Sequence, residues 1–212
     1  MKGITFGNLH SYKDLNLILN TKEIGSPVVK ERKIDIEGAD GSLDLTDFFG
    51  EAKFENVTHK FTFSTIVPKA TFLSLFSTVK NVLHGKKMRI ILDDDPLFYY
   101  MGRIHVSSFT NEKNIGTISI ECDCEPFKYK LDKTVVSKAV TGTQTVTLTN
   151  GRKRAVPSIT TTGSMTIGFG GGTWTVSAST FTIPELELVE GENVVTVTGT
   201  GTITFTWQEG DL

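Results

Sequence analysis

Apolar residues recur at every second position through much of this chain, and between Lys69 and His84 the spacing changes to three and four. A period of two belongs to strands with one buried face, and a period near 3.6 to an amphipathic helix. Phe72, Leu75, Phe76, Val79, Val82 and Leu83 share one helical stripe, and Gly85 suits a C-terminal cap. The spacing therefore predicts a mainly β chain with a helix at about 69–84, laid across one face of an antiparallel sheet. Beyond Leu131–Thr134 the sequence becomes rich in Thr and Gly and poor in Lys. A chain of 212 residues can bury two cores, so the composition break predicts two domains, 1–131 and 134–212.

Residues 32–46 read as a hairpin. Ile34 and Ile36 point one way and their polar neighbours the other, the Glu37–Gly41 stretch is turn-rich, and Leu43 and Leu45 follow. Phe48 and Phe49 sit side by side before Gly50. In a strand one of the two faces away from the core, which suits either an interface anchor or a lid over the sheet edge. His59 to Val67 alternates Phe61 and Phe63 with polar residues, and Pro68 closes that strand.

The stretch from Asp93 to Leu131 holds two further strand runs, Phe98–Phe109 and Gly116–Cys124, separated by a polar turn and closed by Pro126. Asp93, Asp94 and Asp95 precede Pro96 and read as a turn starter, because no second oxygen-rich loop follows to complete a cation site. Cys122 and Cys124 fall on one strand face, poorly placed for a mutual disulfide, and read as thiols packed against a core. His10, His59, His84 and His105 are too scattered to complete a metal set with them.

After Thr134, Thr occupies alternate positions in TGTQTVTLT, GTWTVS, VVTVT and GTITFTW. Several short strands with Gly, Asn or Pro turns predict a β-sandwich, with Ile203, Phe205 and Trp207 on the inner face. Gly168–Gly172 resembles a phosphate loop only superficially, since a Thr-Trp-Thr strand follows it, and it reads as a hairpin tip. The basic cluster 151–154 reads as a solvated loop.

The chain carries no G-x-S-x-G elbow, no H-E-x-x-H pair and no Walker loop, so neither an enzyme nor a cofactor is expected. A formal net charge of -2 draws the chain to neither nucleic acid nor an anionic membrane. No apolar run approaches the ~20 residues of a membrane span, and MKGITFGNLH lacks the apolar region of a secretory leader. The chain is expected to be made and kept in cytoplasm.

Four stretches, GNLHSYKDLNLIL, ERKIDIEGADGSLDLTDFFG, DPLFYYMGRI and ECDCEPFKY, resemble in order the N-terminal domain of the distal tail protein (Dit) family of siphophages and prophages of Gram-positive bacteria. The closing ELELVEGENVVTVTGTGTITFTWQEGDL looks like the last strands of that family's galectin-like second domain. The resemblance implies a split-barrel first domain with one helix, a galectin-like β-sandwich, and a structural function. That function is a hexameric ring at the virion tail tip, assembled in the host cytoplasm. Implied partners are other copies of the chain, the major tail tube protein, the tape-measure protein, the tail-tip hub and receptor-binding or baseplate proteins. Inter-subunit candidates are Leu43, Leu45, Phe48 and Phe49. The alternative is a carbohydrate-binding adhesion module of a tail tip, with Trp174 as the sugar platform. Larger relatives carry inserted carbohydrate-binding modules, for which about 80 residues leave no room here.

Overall fold

The computed structural model describes residues 2–212 apart from Phe49, Ile66, Lys113 and Asn114. The chain divides into two compact units, Met1–Lys128 and Tyr129–Asp211. Mainly β structure in antiparallel sheets, with one α-helix among the described residues, matches the fold class read from the periodicity.

The first unit contains β1 (Ile4–Phe6), β2 (Leu9–His10), β3 (Leu17–Glu23), β4 (Lys33–Asp35), β5 (Ser42–Asp44), β6 (Val57–Thr65), α1 (Phe72–Leu83), β7 (Lys87–Leu92), β8 (Phe98–Glu112) and β9 (Ile115–Lys130). Seven of these strands form one sheet in the order β2-β1-β7-β8-β9-β6-β3, while β4 and β5 pair only with each other. Three strands lie between β1 and β6 in that order, yet the Phe6 ring meets Phe61 and Phe63 edge-on at 6.3 and 6.2 Å. A sheet can bring such distant strands face to face only by curling, so the unit is a barrel split between β2 and β3.

Alternation decides what fills this barrel. Residues 57, 59, 61, 63 and 65 of β6 are buried, and Cys122 and Cys124 of β9 join Phe61, Phe63, Ile118 and Ile120 in the core. Burial pushes the Cys122 thiol well up and the Cys124 thiol up to about 12, so both are inert packing groups. Val79 and Leu83 of α1 pack on the same core, while Phe72 and Phe76 meet Phe109 of β8. Gly85 follows the helix at φ 77°, a conformation in which a Cβ is strained.

Pro126 does not close β9, which continues to Lys130. The register of β6 on β9 ends at Val57 opposite Cys124, so the missing N–H of Pro126 falls beyond the β6 ladder. The Asp93–Asp95 turn between β7 and β8 stitches the open side of the barrel. Asp93 accepts hydrogen bonds from the Gly3 N–H (2.7 Å) and from His10 Nε2 (3.1 Å), and Asp94 pairs with Lys22 of β3. Burial works to raise the Asp93 pKa, but the His10 and Gly3 hydrogen bonds outweigh it and hold the carboxyl low. Asp95 instead pairs with Lys128 at 2.8 Å, so the three carboxylates serve three separate contacts.

The second unit contains β10 (Thr134–Asn150), β11 (Ser158–Thr161), β12 (Met165–Phe169), β13 (Gly172–Val176), β14 (Thr180–Thr182) and β15 (Gly191–Trp207). The expected run of short strands is corrected here: β10 and β15 are each 17 residues long and pair along their whole length. Gly142, Gly199 and Gly201 sit inside this ribbon at φ 76°, 154° and 137° and distort it without ending it. Beside one half of β15 lie β12 and β13, and beside the other half lie β11 and β14. Val195 and Val197 from one half and Ile203, Phe205 and Trp207 from the other enter one core, so the ribbon folds over itself. Gly170 and Gly171, at φ 58° and 86°, form the β12–β13 hairpin tip.

Candidate functional site

Among the described residues, none from Asn20 to Asn56 is buried. A segment this long without a core of its own cannot hold its shape by burial, and how it is held shows where it is anchored. At its root the Gly25 N–H donates to His59 Nδ1 (3.2 Å), and the Phe54 ring meets Phe127 edge-on at 5.9 Å. An isolated bridge pairs Val29 with Phe54, flanked by Lys30 N–H to Lys53 O (2.7 Å) and Glu55 N–H to Val28 O (2.8 Å).

Beyond this stem the hairpin is held by its own polar groups. Leu45 N–H donates to Arg32 O (2.8 Å), Arg32 N–H to Thr46 Oγ1 (3.0 Å), and Ser42 Oγ to Asp35 (2.6 Å). Thr46 also donates to Asp44 and holds that carboxyl low, while Glu31 beside Lys33 holds the ammonium pKa high. Gly38 and Gly41 take φ 81° and 76° in the connecting turn.

Register then sorts the side chains. Ile34 lies directly opposite Leu43, and their same-face neighbours at two-residue spacing are Ile36 and Leu45. Lys33, Asp35, Ser42 and Asp44 take the other face. The hairpin is thus amphipathic, and among the described residues its apolar face is only about half covered: Ile34 is 45%, Ile36 52% and Leu43 49% exposed. Phe48 is 71% exposed, Leu45 is half-buried, and Phe49 lies outside the described residues. Leu43, Leu45 and Phe48 therefore belong to one projecting arm. Sequence reasoning left Ile34 and Ile36 out of the candidate set, although their alternation in a hairpin with Leu43 and Leu45 was the available signal. Leu73 was also missed. It falls off the buried stripe of α1 and stands 70% exposed.

Trp174 is placed differently. It lies opposite Ile167, a core residue, and its own side chain is half-buried against that core. Its ring also covers Gly172, where an added Cβ would come within 2.5 Å of it. The shallow depression on this unit is lined by Thr166, Thr196, Thr198 and the Gly170–Gly172 tip, and Trp174 is not among its lining residues. Trp207, in phase with Phe205, is buried as its strand position required.

No family model matches the sequence, and no curated protein is similar to it. The fold does have a counterpart among solved structures. The crystal structure of the SPP1 Dit protein (gp 19.1) superposes with a TM-score of 0.72, covering 100% of each chain at 13% identity. That protein is described as a paradigm of the hub adsorption apparatus in phages infecting Gram-positive bacteria. The two chains share a Dit-like fold over their full lengths.

Proposed function

We propose that this chain is a structural component of a phage or prophage tail tip, self-associating into a six-membered ring that links the tail tube to the hub and receptor-binding apparatus. Its partners are further copies of itself and the tube, tape-measure, hub and baseplate proteins. It acts in the virion tail tip after assembly in the host cytoplasm. Residues 1–131 build the ring.

The observation that carries this reading is the arm. A two-stranded hairpin with an apolar face and no covering layer is marginal alone, and covering each of Ile34, Ile36 and Leu43 stabilises by about 1 kcal/mol. A neighbouring copy supplies that cover in a ring, through a head-to-tail interface of two unlike patches. The full-length likeness to SPP1 Dit supports the same reading. The test is Ile34→Glu with Leu43→Glu. Neither side chain touches a core, so the variant folds and sediments as a monomer under conditions where the parent assembles. Assembly undiminished by both substitutions would remove the arm from the interface.

A further inference from the structure

Charge is segregated within the first unit. From Ile34 to Ala52 there are six carboxylates, Asp35, Glu37, Asp40, Asp44, Asp47 and Glu51, and no basic residue. From Ile66 to Leu92 there are five basic residues, Lys69, Lys80, Lys86, Lys87 and Arg89, and no acidic one. The first stretch is the outer part of the arm, whose stem side also carries Lys30, Arg32, Lys33 and Lys53, and the second contains α1. A chain with a net charge of only -2 has thus placed opposite charges on two different surfaces.

The exposed side of α1 matches the arm in a second respect. Leu73 and Lys80, seven residues apart on α1, share one exposed side, and Lys69, also exposed, stands in the 3-10 turn Lys69–Thr71 that leads into the helix. Lys80 lies 4.7 Å above the Phe76 ring, which fixes its stem along the helix. Lys87 is taken by Glu125 and Arg89 lies over Tyr99, whereas Lys69, Lys80 and Lys86 make no ion pair among the described residues. On the arm, Ile34 and Leu43 form the apolar face while Glu37 and Asp40 stand at the turn.

We infer that the surface formed by α1 around Leu73 and Lys80, together with Lys69 of the turn before it, receives the acidic arm of the next copy of this chain. This rests on the ring reading above and names the receiving surface, which that reading leaves open. Apolar contact comes from Leu43 and Ile34 against Leu73, and orientation from Glu37 and Asp40 against Lys69 and Lys80. Opposed potentials of this kind set register and speed encounter. Arm and helix are unlike patches on one unit, so each copy gives one and receives one, as a closed ring requires.

The test is a charge swap on the full chain, read by sedimentation velocity at low salt, with circular dichroism to confirm folding. The arm variant carries Glu37→Lys with Asp40→Lys, and the helix variant Lys69→Glu with Lys80→Glu. Each alone is expected to weaken self-association at least about tenfold, an effect that shrinks at high salt. Their equimolar mixture is expected to assemble again, because reversed arms meet reversed helices and parent arms meet parent helices in alternation. As a second readout, a Leu43→Cys chain mixed with a Leu73→Cys chain is expected to form an inter-chain disulfide on mild oxidation. Rings from the parent chain with no recovery in the mixture and no disulfide would place the arm elsewhere and leave the ring reading intact. A parent chain monomeric at every concentration would overturn both.

Discussion

Protonating His59 will loosen the first unit, and the size of the effect follows from where the ring sits. Its side chain is buried on β6, packed edge-on against Tyr100 at 4.4 Å, and its Nδ1 accepts the Gly25 N–H while Nε2 has no hydrogen-bond partner among the described residues. Burial lowers its pKa from 6.5 to about 4. The folded pKa is the depressed one, so as pH falls the unfolded chain takes up the proton first. Stability from this group is full above about pH 6.5 and is lost progressively down to about pH 4. At 1.36 kcal/mol per unit the limit is about 3 kcal/mol. Solvent screening around a strand whose alternate side chains are exposed reduces this to roughly 1–2 kcal/mol, about a 5–30-fold change in the opening equilibrium.

Cys122 and Cys124 supply the assay, because both are buried thiols of the same unit. Their labelling by a pyridyl disulfide, which reacts at acidic pH, reports opening of that unit. His59→Gln keeps an acceptor for Gly25 and cannot be protonated in this range. The ratio of parent to variant labelling rates at matched pH is expected to rise about 5–30-fold between pH 7 and 4.5. Both tryptophans lie in the second unit, and their emission during unfolding should show no such difference. A labelling ratio constant across that range would refute the assigned cause.

Three further expectations follow from packing and hydrogen bonding. Asn193→Ala should cost about 2–4 kcal/mol in urea unfolding followed by tryptophan emission, since its buried amide oxygen accepts from Val189 N–H and its two N–H groups are shared among the carbonyls of Val189, Gly191 and Leu148. Gly102→Ala should cost about 1–3 kcal/mol by overpacking, because the added methyl would lie 2.5 Å from Cys124 Sγ; thiol labelling would accelerate accordingly. Gly85→Ala, at φ 77° with open space around it, should cost about 1 kcal/mol through backbone strain alone, read as a lowered melting midpoint.

Where one face of an element is buried, the sequence made the fold legible. Phe61 and Phe63, Cys122 and Cys124, and Phe205 and Trp207 all lie inside where their alternation put them. Legibility failed where neighbours decide. Pro126 reads as a stop, but a proline ends a strand only if its N–H is needed, and β6 has already ended there. The Thr- and Gly-rich half reads as several short strands, but in β10 and β15 a long antiparallel partner carries the ribbon through Gly142, Gly199 and Gly201. The projecting arm was visible as a hairpin with Leu43, Leu45 and Phe48. Its lack of any buried residue, and with it the place of Ile34 and Ile36, depends on which strands the hairpin fails to pair with, and local spacing does not encode that. Trp174 carries the composition of a sugar platform, yet its register opposite Ile167 turns it toward the core.

The most direct measurement is the solution mass of the purified chain by light scattering, with negative-stain images of the main peak. Annular particles of six copies, six times 23.3 kDa, are expected, and they should fall apart when Ile34 and Leu43 are replaced by Glu. A chain that stays at 23.3 kDa at every concentration, with the arm uncovered, would contradict the ring reading.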